Sequence, residues 1–384
     1  MRLTNLPYFR TLQEYQIALD RYIRQAAKTQ ALKAAYQFGS VGAPGLSDID
    51  LALVVDEKIT QRELLNLSIS NLSVDDQKIF LHEPLIVTEH NKNILFETNY
   101  VKNLNRIYGE DGCLKTKSAL PDIYTRWAIT LEYVPMYLFC LQKWLVQGKV
   151  DVRLAIPVLR SIKYLLELNS DFKKWFWANW ESYADNVNFL CDNWFRLSDN
   201  DSARILESAI QEAWNIVVDI AWARDTELTD DKKFTSEREM RKPNKLVYSL
   251  DVNVISTKER PVNWQNAQHN QLFYPSPPSC LLMLDVYHAT GGRLARFLDS
   301  LSFGCWSDLQ PNTAFELYLG QRAHLINEQI EFLYRKKAAF GYSVTNFVYS
   351  PSAPRVESIV TRATKKIWML SLQLFENLRR VKYY

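Results

Sequence analysis

The sequence predicts an α+β protein: a small N-terminal domain with a short mixed sheet, then a mostly α-helical region with a minor β segment. Three observations carry this. Between residues 33 and 88, short runs rich in Val, Leu and Ile alternate with helical patterns. From residue 119, apolar residues recur at helical spacing over much longer stretches. A single later run, "KLVYSLDVNVIS" at 245–256, has strand character. The boundaries expected from these changes are 1–115, 116–228 and 229–384.

In chain order, residues 11–30 place Leu12, Tyr15, Leu19, Tyr22 and Ile23 on one helical face. "KAAYQF" reads as a short strand ending at Gly39-Ser40, and "DIDLALVVD" (48–56) as the next strand. "QRELLNLSISNL" (61–72) reads as a helix and "KIFLHEPLIVT" (78–88) as a third strand, which Pro84 confines to a sheet edge or a bulge. Long helices are expected over 119–147, 152–168 and 203–228, with breaks at Gly148 and at the polar cluster 198–202. Trp175, Trp177 and Trp180 are expected as core filling or helix contact. Residues 229–245 form a charged connector, "QLFYPSPPSCLL" (271–282) a proline-rich loop, and Gly291-Gly292 a further break. Helices return at 313–338 and 355–380.

Composition excludes several classes. At 384 residues, 47% hydrophobic and 23% charged, the chain is an ordinary globular sequence that can bury a sizeable core. A formal charge of +3 is too small to argue for nucleic acid, so such a partner is possible but not favoured. The C-terminal stretch 360–384 is locally basic, with Arg362, Lys365, Lys366, Arg379, Arg380 and Lys382 against Glu376. Its five cysteines are scattered with no CxxC pair, which suits reduced thiols in a cytoplasm. No secretory leader is evident, and "YVPMYLFCL" (133–141) is far short of the about 20 residues a membrane span needs. HExxH, GxxxxGK[ST] and GxSxG are all absent.

The stretch that carries chemistry is "FGSVGAPGLSDIDLALVVD" (38–56). Residues i and i+2 of a strand share a face, so Asp48 and Asp50 project side by side. Adjacent carboxylates repel at neutral pH unless a cation lies between them. Mg²⁺ takes hard oxygen ligands, one or two carboxylates plus substrate phosphates. Glycine upstream lets backbone N–H groups approach a phosphate, and a serine hydroxyl adds a donor.

Gly39-Ser40, followed by Ser47-Asp48-Ile49-Asp50-Leu51, resembles the signature of the DNA polymerase beta-like nucleotidyltransferase superfamily, nearest to its kanamycin-type and minimal members. The motif covers under 20 residues, and the resemblance extends over residues 1–115. It implies a catalytic N-terminal domain that moves a nucleoside monophosphate from an NTP such as ATP to an acceptor, releasing pyrophosphate. It further implies Gly39, Ser40 and Ser47 as nucleotide-binding residues and a two-ion Mg²⁺ site on Asp48 and Asp50. The family's third carboxylate lies on a later strand. Among Asp75, Asp76, Glu83 and Glu89, Glu83 lies inside the apolar run and is the choice, as metal ligand or proton acceptor, with His82 pointing the other way. The chain departs from the family in the loop "VGAPGLS", which is shorter than usual and lacks a basic residue. The expected partners are an NTP and an acceptor, with a small molecule favoured and no membrane span. A catalytically inactive nucleotide-binding scaffold, or a transferase that modifies protein or RNA, is the alternative. A cleft between the carboxylate face and the helices from 120 to 225 is expected to hold the acceptor.

Overall fold

The computed structural model describes residues 1–99, 101, 103–109, 114, 121–170, 173–229, 253–257, 264, 271–275, 277–300 and 313–336. Its N-terminal part runs β1 (Arg2–Thr4), α1 (Leu12–Ala26), β2 (Leu32–Phe38), β3 (Asp50–Val55), α2 (Gln61–Asn66), α3 (Val74–Gln77), β4 (Leu85–Thr88), α4 (Ile94–Thr98) and β5 (Asn105–Gly109). Four of these strands make a mixed sheet in the order β4-β3-β2-β5. β2 is antiparallel to both β3 and β5, whereas β3 and β4 run parallel. The molecule is thus α+β with a small mixed sheet and a mostly helical remainder.

β3 is an unbroken apolar run because both its faces are covered. Leu51, Leu53 and Val55 pack with Tyr15, Leu19 and Tyr22 of α1. Ala52 and Val54 pack on the opposite face with Ile94, Leu95 and Phe96 of α4. Asp50 shares that second face by the period-2 rule. α1 starts with a capping box in which Thr11 and Glu14 satisfy each other's backbone N–H groups.

The helical part comprises α5 (Ile123–Gln147), β6 (Lys149–Asp151), α6 (Val152–Leu168), α7 (Lys173–Asn193), α8 (Asp199–Thr229), β7 (Asn253–Thr257), β8 (Gln271–Pro275), α9 (Pro278–Ala289), α10 (Gly292–Ser300) and α11 (Ala314–Arg335). α5 ends at Gly148 in the left-handed conformation, and Asp151 then caps α6 by accepting from the Leu154 N–H. No helix among the described residues is long and apolar enough to cross a membrane.

Several elements differ from the sequence expectation. The strand expected over 78–88 is confined to Leu85–Thr88, immediately after Pro84. The helix expected over 61–72 divides into α2 and a 3₁₀ turn at Ile69–Asn71, with the Ser68 side chain capping the turn. The proline-rich stretch 271–282 is not a loop. It forms β8, parallel to β7, and then α9 with Pro278 in its first turn, where a missing N–H costs nothing. The side chains of Trp175, Trp177 and Trp180 lie outside the described residues, as do 230–252, the helix expected over 355–380 and the basic residues of 360–384.

Contacts cross the boundary expected at residue 115 at several points. β1 pairs in parallel with β6, Leu3 opposite Val150. The Gln329 side chain of α11 donates to the Ile86 carbonyl of β4 at 2.5 Å. Ala43 and Leu46, from the loop between β2 and β3, are buried in the helical core.

That helical core holds a fully buried ion pair. Arg322 of α11 donates through Nη2 to Glu132 Oε2 at 2.8 Å and through Nε to Glu132 Oε1 at 2.9 Å. The Tyr287 hydroxyl of α9 donates to Glu132 Oε1 at 2.8 Å. One carboxylate therefore ties three helices together. Glu132→Leu should destabilise the fold by about 3–5 kcal/mol, because it strands a buried guanidinium. A Glu132→Leu/Arg322→Leu double variant should recover most of that loss in thermal or urea unfolding.

Candidate metal centre

The Gly39 turn and the start of β3 meet through strand register. Phe38, the last residue of β2, is paired with Asp50, the first of β3. Gly39 follows with φ of +72°, a conformation that side-chain-bearing residues avoid, and a Cβ there would lie 3.3 Å from Asp50 Oδ2. The backbone of the turn thus passes directly beside the carboxylate.

Asp48, Asp50 and His82 bring one donor atom each to within 4.8 Å of one another. All three are half-buried; the side chains of His82 and Asp50 are 16% and 28% exposed. His82 Nε2 lies 2.8 Å from Asp50 Oδ1. Its Nδ1 lies 2.7 Å from the Glu83 carbonyl oxygen, which only accepts, so Nδ1 carries a proton.

The electrostatics follow from crowding like charges in a corner with little water. Burial, and then the charge of Asp50, push the Asp48 carboxyl up to about 7, opposed by His82 and by Arg160 of α6. Burial alone would push the His82 imidazole down, but the hydrogen bond and charge of Asp50, with Asp48 behind it, carry it up to about 9. In the metal-free site His82 Nε2 is thus held protonated against Asp50, a proton that a bound metal ion would displace.

Glu83, expected as the third carboxylate, is not brought to the pair. Its Oε1 accepts from the Ser68 hydroxyl at 2.7 Å and its Oε2 from the Ile69 N–H at 2.9 Å, closing the 3₁₀ turn. His82, expected to face away, stands there instead. The reason is local: residues 78–84 are not a strand, so strand alternation does not assign their faces.

Ser47 serves the loop. Its hydroxyl accepts from the Ala43 N–H at 3.0 Å and from the Arg160 guanidinium. The Tyr15 hydroxyl of α1 donates to the Ser47 carbonyl at 2.5 Å and accepts from the Gly45 N–H at 2.9 Å. Gly45 has φ of +88°, and a Cβ there would run into the Tyr8 carbonyl oxygen at 2.4 Å. Ser40 is exposed beside Gly39, and both line a groove of about 490 Å³ with Gln16 and Leu19 of α1 and Asn103 and Asn105.

Sequence reasoning missed two residues at this site. Strand alternation over 78–88 turns His82 away from the pair. Arg160 lies 120 positions from Ser40 in a helix whose apolar pattern draws attention to its other face. The guanidinium reaches Ser47 and lies 3.2 Å from where a Cβ on Gly42 would be. Arg153, one face-repeat earlier on α6, donates to the Lys78 carbonyl and contributes positive potential at Asp48. The Tyr133 phenol of α5 senses the charge of Asp50, burial having already raised it far above its ordinary range. Residues of both α5 and α6 thus lie near enough to the carboxylates to feel their charge.

A folded-state pKa above the unfolded value of about 3.9 means that Asp48 costs stability at pH above about 4, the cost being complete once pH exceeds about 7. Asp48→Asn should accordingly raise the melting temperature of chelator-treated protein at pH 8 and change it little at pH 4. A lower melting temperature at pH 8 would contradict the repulsion.

Comparison with known proteins leaves this geometry to be read on its own terms: no family model, no curated protein and no solved structure matches the chain.

Proposed function

We propose that the chain is a metal-dependent nucleotidyltransferase of the DNA polymerase beta-like kind, moving a nucleoside monophosphate from an NTP to an acceptor with release of pyrophosphate. The observation that carries this reading is the placement of two carboxylates, Asp48 and Asp50, beside a glycine turn at the end of the neighbouring strand. Hard carboxylate oxygens this close fit a divalent cation that also takes phosphate oxygens. Asp48 and Asp50 would hold it, and it would supply charge neutralisation at the entering and leaving oxygens of the transferred phosphoryl group.

The other residues act on the nucleotide. Gly39 leaves its backbone open to a phosphate, and Ser40, exposed beside it, offers a hydroxyl donor. The positive charge missing from the loop comes from Arg160, which faces the loop from α6 and suits a bidentate grip on phosphate. Ser47 keeps the loop in shape, which replaces the nucleotide contact expected of it. The acceptor would enter between the carboxylate corner and the nearby helices α5 and α6, and a small molecule is the favoured class.

A second reading has its own support. Glu83 is committed to the 3₁₀ turn, so among the described residues no third carboxylate joins the pair, and His82 already engages Asp50. A protein that binds nucleotide without turning it over fits these two facts. Nucleotide-dependent stabilisation without pyrophosphate release, tested with labelled NTPs and a panel of small-molecule acceptors, separates it from the enzyme.

Under the transferase reading, Asp48→Asn and Asp50→Asn should each lower pyrophosphate release on the order of 100-fold or more while the protein stays folded. Full turnover in either variant ends the metal mechanism.

Arg160→Ala should weaken binding of a non-hydrolysable NTP by about 10- to 100-fold, the worth of a charge-assisted hydrogen bond. Gly39→Val should weaken the same binding, since it crowds both the phosphate path and Asp50. Isothermal titration showing wild-type affinity in both variants would remove the turn and α6 from the nucleotide site.

A further inference from the structure

We infer that His82 is itself a metal ligand and that the centre formed with Asp48 and Asp50 selects a first-row transition-metal ion, Mn²⁺ ahead of Mg²⁺. This rests on the metal-dependent reading above and names the class of ion it takes.

Geometry and chemistry both support the assignment. Two cis ligands at about 2.1 Å from an octahedral ion lie about 3 Å apart. His82 Nε2 and Asp50 Oδ1 are 2.8 Å apart, and the Asp48 carboxylate completes a group of donors within 4.8 Å. The other ring nitrogen supplies an independent observation. A metal-bound histidine characteristically gives its second N–H to a carbonyl or carboxylate, which fixes the ring and leaves the first nitrogen as the donor. Here Nδ1–H donates to the Glu83 carbonyl at 2.7 Å, and Glu83 is in turn fixed by the bonds from Ser68 and Ile69 to its side chain. The residue expected as a ligand thus acts one shell out, holding the ligand in place.

The donor set decides the ion. Three carboxylates would suit Mg²⁺, whereas imidazole suits transition ions and carboxylates still accept Mn²⁺. A mixed nitrogen and oxygen set that must also share its ion with phosphate favours Mn²⁺ over Mg²⁺.

The test uses the full chain, stripped of metal by chelation and loaded with Mn²⁺, with and without a non-hydrolysable NTP. Pulsed EPR should detect a directly bonded ¹⁴N on Mn²⁺, and competition should require at least about tenfold more Mg²⁺ than Mn²⁺ to displace it. His82→Gln should abolish the nitrogen coupling and weaken Mn²⁺ binding by about 10-fold or more. His82→Asp, which rebuilds three carboxylates, should retain Mn²⁺ without the coupling and let Mg²⁺ compete nearly equally; it also controls for misfolding of the glutamine variant. Mn²⁺ bound without nitrogen coupling, coupling that survives in His82→Gln, or no Mn²⁺ bound under either condition would overturn the assignment. Nitrogen-coupled Mn²⁺ in a protein that releases no pyrophosphate would support it and defeat nucleotidyl transfer instead.

Discussion

The constraint on which this structure turns is electrostatic. Two carboxylates share a half-buried corner, and such a pair holds its charge only if positive charge is brought to it. The fold brings it from opposite directions. His82 approaches from the segment leading into β4, and Arg160 from the middle of α6. Neither cation belongs to β3, which begins at Asp50, or to the loop that carries Asp48. The corner is therefore a product of tertiary assembly, and a bound cation would complete a balance that the protein has already begun.

The same logic accounts for the loop between Gly39 and Asp48. A short loop without a basic residue looks deficient by comparison with the family it resembles. Here the loop spends its apolar residues on anchorage, with Ala43 and Leu46 buried among the helices, and Tyr15 clamps its far end from the opposite side. Once the loop is fastened to the helical core, a helix lies close enough to lend it an arginine. Loop composition and domain docking are two aspects of one solution.

How much was legible in the sequence differs by element for physical reasons. β3 was readable because a strand covered on both faces must be an unbroken apolar run, and its two leading aspartates stood out against that run. The Gly39 turn was readable because only glycine is at ease at a positive φ. β5 was not, since "NRIYG" is an edge strand with mostly exposed side chains and little periodic signal. The choice of Glu83 over His82 failed on a premise: it applied strand alternation to residues that Pro84 keeps out of the strand. Arg160 left no local trace at all. Its role depends on how α6 docks, and no window of sequence contains that information. Glu132 was visible only as a charge bordering an apolar run, whereas its partner lies 190 positions away.

The pairing of β1 with β6 has a consequence for how the molecule is made. Arg2 sits opposite Lys149, so β1 meets its neighbour only after the whole sheet and α5 have been synthesised. At about 5–20 residues per second, that wait is on the order of ten seconds. During it the sheet can form, but the loop after Gly39 has no helical core to receive Ala43 and Leu46, and no Arg160 to meet Ser47. The nascent chain thus carries both aspartates well before it carries a finished site. The order of synthesis alone makes the carboxylate corner one of the last parts of this half of the chain to be completed.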